Sequence, residues 1–369
     1  MEARADVLLT ALPRALDGTG PALLPLPDGP GRAGVLAALR PEEPLERDDV
    51  ALVVPTSGST GAPKGALLTA SALLHSAHAT LDRLGGPGQW LLAMPVTHVA
   101  GLQVLVRSLV GGAPPEVLDL TSGFTADAFV AATARLDASA RRYTALVPTQ
   151  LRRLLDAGVD LSAYDAVLVG GAALAFAAPA NVVRTYGMSE TCGGCVYDGL
   201  PLDGVDVVIE EGGRISIGGP VVFAGYRLRS DLTTAALVDG RHLTQDLGTW
   251  TEDGRLDVVG RIDDVIVSGG VNVPTALVEA VLSEHPLVRA VAVVGVADEQ
   301  WGERVVAVVA GRSGVPPLEL ADLRAFCAER LEVAAIPGLL VTVDTLPMLA
   351  SGKPDRSAVR SLVAAHLAR

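Results

Sequence analysis

The stretch PTSGSTGAPKGALLT, residues 55–69, gathers three glycines, two serines and three threonines around a single lysine, Lys64. Backbone N–H groups and hydroxyls in such a turn form a concave nest that suits polyphosphate oxygens, and a lysine adds a point charge. A Walker-type loop needs Gly-Lys followed by Ser or Thr, whereas here Pro63 precedes Lys64 and Gly65 follows it. The segment reads as a phosphate loop of another kind, turning from a strand into a helix. The strand is the apolar run VALVVP (50–55); the helix is TASALLHSAHATLDRLGG, with a hydroxyl start and a Gly85-Gly86 stop. An ordinary Gly/Ser surface loop is the alternative at this point.

The neighbouring sequence keeps the same rhythm. WLLAMPV (90–96), YTALVP and YDAVLVGG read as buried strands. AGLQVLVRSLVGG, FTADAFVAATARL and TQLRRLLDAG between them read as helices. Alternation over 50–190 predicts a mainly parallel, helix-covered sheet. From about residue 200 the texture changes to short strands split by glycine turns (VDVVIEEGGRISIGG), which predicts a small β-barrel-like part. A second change falls near 260. Beyond it come a helix opening on Pro274, the strands VRAVAVVGV and ERVVAVVAG, and the amphipathic helix LELADLRAFCAERL. The fold class is therefore α/β, with a large N-terminal domain over 1–260 and a small, mobile α+β C-terminal domain over 261–369.

Composition narrows the function. A net charge of −13 with aromatics at 4% argues against a nucleic-acid partner and against an anionic membrane surface. No apolar run of about 18 residues predicts membrane insertion. The opening MEARADVLLTALPRALDG breaks its apolar residues with charges, unlike a signal peptide. Three cysteines are too few for a disulfide framework, and Cys192-x-x-Cys195 lacks the second half of a zinc set. A reducing cytoplasm is expected, with the assembly open and a homodimer included.

Only two lysines, Lys64 and Lys353, stand among 29 basic residues, and both lie in Ser/Gly loops. Lysine is a compact charge that can follow an oxygen through a reaction, unlike the flat arginine fork. RTYGMSET (184–191) adds a tyrosine, a close-approach glycine, a hydroxyl and Glu190, the donor types of a Mg²⁺–nucleotide site. TQDLGTWTEDGRLDVVGRIDD (244–264) adds Asp246 and Arg261, with an acid suited to ribose hydroxyls; a hairpin with a charged rim is the plainer reading.

Together these residues resemble the adenylate-forming superfamily of acyl- and aryl-CoA synthetases, peptide-synthetase adenylation domains and firefly luciferase. TSGSTGAPKG is similar to its phosphate loop and YGMSET to its Tyr-Gly-x-Thr-Glu element, with Ser189 at the threonine position. DLGTWTEDGRLDVVGRIDD is similar to its ribose and hinge segment, and SGKPDR to its catalytic-lysine loop. The resemblance spans about residues 50–360 and implies two steps. A carboxylate attacks the α-phosphate of Mg·ATP, releasing pyrophosphate; a thiol, that of coenzyme A, then displaces AMP.

It also implies roles. Thr56, Ser57, Gly58, Ser59, Thr60, Gly61 and Lys64 would hold the β- and γ-phosphates. Gly170, Gly171 and Ala172 with Tyr186 would frame the adenine, and Gly187 and Ser189 would also bind ATP. Asp246 and Arg261 would bind the ribose, and Glu190 the Mg²⁺. Lys353 would be the catalytic cation bridging substrate carboxylate and α-phosphate, and Asp263 the hinge. Two departures stand out. Val267 occupies a position where some members carry a second lysine, and the phosphate loop arrives so early that most of one N-terminal subdomain is expected to be missing.

MPVTHVAGLQVLVRSL (94–109) resembles the o-succinylbenzoate-activating branch of menaquinone biosynthesis, which has short actinobacterial forms. There His98, Gly101, Arg107 and Gly187 would face the acyl group. His98 is the second catalytic candidate, gating the thiol or lining the pocket. Arg107 would pair with the second carboxylate of a diacid, or else lie on the wet face of its helix. The rival readings are another acyl- or aryl-CoA ligase, an adenylase loading a carrier protein, and a nucleotide-binding remnant without catalysis.

Overall fold

The computed structural model describes residues 4–26, 29, 31–57, 63–174, 176–312, 316, 318–348 and 354–367. Strands β1 (Val50–Ser57) and β2 (Pro63–Thr69) pair antiparallel, Thr56 opposite Lys64. This corrects the expected strand-to-helix turn: the 55–69 stretch is a hairpin whose second arm, PKGALLT, is itself a strand. The helix Ala70–Arg83 begins only after it, capped by the Thr69 hydroxyl on the Ala72 N–H.

The main sheet contains β3 (Gln89–Leu92), β4 (Glu116–Val117), β5 (Arg142–Leu146), β6 (Ala166–Gly170), β7 (Val182–Met188), β8 (Gly193–Tyr197) and β9 (Leu200–Pro201), in the order β4-β3-β5-β6-β7-β8-β9. Pairings from β4 to β7 are parallel and the last two antiparallel. Alternate residues bury on opposite faces. Trp90, Leu92, Tyr143, Ala145 and Leu168 join the helices Ala70–Arg83 and Val99–Gly111; Leu91, Ala93, Leu146, Val167 and Val169 join Ala126–Thr133 and Pro148–Asp156. Burial on both faces is why these strands read as unbroken apolar runs.

A second, antiparallel sheet follows: β10 (Asp206–Ile209), β11 (Arg214–Gly218), β12 (Leu237–Val238), β13 (Arg241–Trp250) and β14 (Leu256–Arg261). The long β13 serves β11 and β12 with its first half and β14 with its second. The smaller C-terminal part is built on β15 (Val265–Ser268), β16 (Val271–Pro274), β17 (Val288–Asp298), β18 (Gly302–Gly311) and β19 (Leu339–Val343). Helices Thr275–Ser283 and Leu320–Ala328 cover one face of it and Arg356–Leu367 the other. Pro274, expected in the first helical turn, is instead the N-cap residue. Arg356 ties this part together, pairing with Glu279 at 2.9 Å and with Asp264 at 3.0 Å. The fold is mixed α/β, with a large N-terminal and a small C-terminal domain.

One buried arginine fastens the N-terminal segment to this frame. Arg227, 2% exposed, donates to the carbonyls of Leu39, Arg40, Glu43 and Pro44 and to the Glu46 carboxylate. Its own N–H donates to Gly65 O of β2 at 2.8 Å. Replacing it by an apolar side chain strands those acceptors. Arg227→Met is expected to cost about 3 kcal/mol or more, seen as a lower thermal unfolding midpoint; an unchanged midpoint would show that water satisfies the carbonyls.

Candidate active site

Part of the set singled out in the sequence lies at the C-terminal ends of parallel strands β6 and β7, where ligands bind in open α/β sheets. Gly170 ends β6, with Gly171 and exposed Ala172 beyond it; Gly187 lies in β7, and Ser189 and Glu190 in the short 3₁₀ turn Ser189–Thr191. Gly187 is dictated by packing, since a Cβ there would fall 2.1 Å from Gly193 O on β8. The turn is held by Met188 N–H on the Thr191 hydroxyl at 2.9 Å and by Phe223 N–H on Glu190 O at 2.9 Å.

The first polar network centres on Asp246. The Tyr186 hydroxyl donates to its Oδ2 at 2.8 Å, and Arg261 Nη1 to its Oδ1 at 3.0 Å. Asp246 and Arg261 face each other across β13 and β14, so register alone brings them together. Arg261 also forks onto Asp263 at 2.8 and 3.0 Å. Burial, reinforced by the Asp246 charge, pushes the Tyr186 phenol well up, so it stays a donor at neutral pH. Burial works against the Arg261 charge, but Asp263 and Asp246 outweigh it and raise its pKa.

The second network centres on Glu190, 8% exposed. Its Oε1 accepts from the Tyr226 hydroxyl at 2.7 Å, and the Lys64 ammonium sits 4.5 Å from the centroid of the same ring. Burial, then the Glu190 charge, raises the Tyr226 phenol. Sequence reasoning missed Tyr226. Its one signal was rarity: of five tyrosines, three (Tyr186, Tyr197 and Tyr226) engage a charged side chain through the hydroxyl. Thr56 Oγ1 donates to Lys64 O at 3.4 Å. Gly58, Ser59, Thr60, Gly61 and Lys353 lie outside the described residues, as does the side chain of Ser57.

On the expected acyl side, His98 is the N-cap residue of the helix Val99–Gly111 and is partly buried. Gly101 has a packing reason, because a Cβ there would meet Pro95 O at 2.3 Å. Arg107 is not on a wet face. It is 3% exposed, its Nη2 reaches the Tyr197 hydroxyl at 3.3 Å, and its guanidinium lies over Trp90. Burial lowers its pKa. Its Nε has no hydrogen-bond partner, and among the described residues its polar contact is the Tyr197 hydroxyl, not a carboxylate.

Cys192 and Cys195 are free and buried, as expected for small core thiols, and burial pushes Cys195 up to about 12. Among the described residues no group of three or more His, Cys, Asp or Glu could hold a metal ion. Mg²⁺ needs no such group, since it binds through one or two carboxylates plus substrate phosphates. Glu190, with one oxygen committed to Tyr226, is a donor of that kind. No helix among the described residues is long and apolar enough to cross a membrane.

The chain is 48% identical, over 96% of its length and 94% of the relative's, to the probable 2-succinylbenzoate–CoA ligase of Mycobacterium tuberculosis. The o-succinylbenzoate coenzyme A synthetase of Bacillus subtilis, solved with its acyl-adenylate intermediate, is similar in structure: TM-score 0.75, 30% identity, 86% of this chain and 70% of that one. The same enzyme solved with ATP and magnesium ion gives a TM-score of 0.73 at 29% identity, over 86% and 71% of the two chains. The amide bond synthetase McbA of Marinactinospora thermotolerans matches with a TM-score of 0.76 at 29% identity, over 85% and 70%. Residues 10–241 match the AMP-binding enzyme model and residues 277–353 its C-terminal domain. With both parts accounted for, the chain belongs to the AMP-binding enzyme family.

Proposed function

We propose that this chain is an AMP-forming acid–thiol ligase that activates o-succinylbenzoate and transfers it to coenzyme A, a step of menaquinone biosynthesis. The observation that carries the reading is its likeness, along nearly the whole of both chains, to the mycobacterial enzyme named for that reaction. In the first step a carboxylate oxygen bonds to the α-phosphorus of ATP as the bond to pyrophosphate breaks. In the second, the thiolate of coenzyme A bonds to the acyl carbon and AMP leaves.

The site supports a division of labour. Asp246 would take the ribose hydroxyls, oriented by the Tyr186 phenol and balanced by Arg261. Gly170, Gly171 and Ala172 with Tyr186 would border the adenine, and Gly187 and Ser189 would also bind ATP. Thr56, Ser57, Gly58, Ser59, Thr60, Gly61 and Lys64 would hold the outer phosphates. Glu190 would hold Mg²⁺, which neutralises triphosphate charge when bound. Lys353 would stabilise the charge developing at the α-phosphate, with Asp263 as the pivot between domains divided at 260 and 261. His98 and Gly101 would border the acyl group. Arg107, a buried cation without an anionic partner, would be matched by the substrate's second carboxylate. The reading places the protein in the cytoplasm, acting on small molecules, with no nucleic-acid partner and no membrane insertion; its assembly stays open, a homodimer included.

Mass analysis after incubation with o-succinylbenzoate, ATP and coenzyme A should reveal o-succinylbenzoyl-CoA, AMP and pyrophosphate; absence of the thioester, with exchange supported by a different acid, would replace the substrate. Lys353→Ala is expected to abolish ATP–pyrophosphate exchange yet leave thioester formation from supplied acyl-adenylate. Equal loss of both half-reactions would remove the assigned role. Arg107→Leu should raise the KM for the diacid by about tenfold or more while that for ATP moves less than about twofold. A diacid KM at the wild-type value would leave Arg107 as a core cation only.

A further inference from the structure

Neither Lys64 nor Glu190 forms an ion pair among the described residues, although both touch one side chain. Tyr226 separates them, offering its ring face to the ammonium and its hydroxyl to the carboxylate. Left to meet directly, a half-buried lysine and a buried glutamate would pair and neutralise each other. A phosphate ligand and a metal ligand would then be spent together.

The position of Tyr226 is fixed on both sides. The segment 224–227 runs antiparallel to β2, with Ala224 N–H on Leu67 O at 2.8 Å and Leu67 N–H on Gly225 O at 2.9 Å. Ala66 and Tyr226 form the bridge between them. The Tyr226 N–H is held by the Thr233 hydroxyl at 2.8 Å, and its ring packs edge-on against Phe223. Phe223 in turn anchors the Glu190 carbonyl. The next residue, Arg227, is locked among the carbonyls of the N-terminal segment. The tyrosine thus cannot follow either charge.

We propose that Tyr226 is a positioning residue of the metal–triphosphate site: its hydroxyl commits one Glu190 oxygen and leaves the other for Mg²⁺, and its ring parks Lys64 where a triphosphate can withdraw it. A cation–π contact is weak enough to be given up to phosphate, whereas a lysine–glutamate pair would compete with the nucleotide. This rests on the proposed function, because it takes Glu190 as the metal donor and Lys64 as a phosphate ligand.

Calorimetric titration of the full-length chain separates the possibilities, with metal-free AMP and Mg·ATP as the two probes. Tyr226→Phe keeps the ring and removes the hydroxyl. It should leave the Kd for AMP within about twofold of wild type while weakening Mg·ATP about tenfold. Tyr226→Leu removes the ring as well and should weaken Mg·ATP further, again sparing AMP. In a Glu190→Gln background the Tyr226→Phe change should add nothing to the loss of Mg·ATP affinity, since the oxygen it positions is no longer a charged metal donor. An unchanged Mg·ATP affinity in Y226F, an equal loss for AMP and Mg·ATP, or additive losses in the double variant would each overturn the inference. Wild-type protein that bound AMP but no Mg·ATP would sink the metal-site reading itself, and this inference with it.

Discussion

A hydrogen bond between two sheets holds the site together. Tyr186 belongs to β7 of the parallel sheet and Asp246 to β13 of the antiparallel one, and their 2.8 Å contact is made by a partly buried phenol that stays protonated. Around it the rest falls into place. Gly187 lets β7 and β8 close to within backbone contact, the following turn aims Glu190 toward the β1–β2 hairpin, and β14 returns Arg261 to the same aspartate. A nucleotide bound here would be read by residues that three separate sheets contribute, so its affinity depends on their mutual alignment more than on any single side chain.

The cations divide by chemistry. Arginines do the joining: Arg227 gathers carbonyls, Arg261 forks between Asp246 and Asp263, and Arg356 pairs with both Asp264 and Glu279. Each uses the flat, multi-donor geometry that lysine lacks. Lys64 rests on a ring face, a contact that leaves its three N–H donors free to turn toward incoming oxygens.

Much of this was legible in the residues. The alternating apolar runs named the parallel sheet, because burial on both faces leaves no polar alternation to misread. Asp246 and Arg261 were visible as a pair of charges in a hairpin, and the register that joins them follows from that hairpin. The 55–69 stretch shows where reading fails. Its glycines and hydroxyls were recognised, but PKGALLT becomes a strand by folding back onto β1, while residues 224–227, about 160 positions away in the chain, line its other edge. Tyr226 escaped for the same reason: its two partners come from β2 and the Ser189–Thr191 turn, which no local pattern relates. Arg107 was assigned to pocket or solvent; the helix turns it inward against Trp90 and Tyr197, which removes the solvent reading, a choice set by packing and invisible in spacing.

The anchoring of Arg227 carries one more implication. Residues 39–46 contribute nothing to the nucleotide site directly, yet their carbonyls hold the guanidinium that immediately follows Tyr226. Fraying of that connector and loosening of the hairpin are thus one cooperative event, not two. Occupancy of the site should accordingly slow amide exchange in the connector, reporting the ligand's arrival through a segment that never touches it.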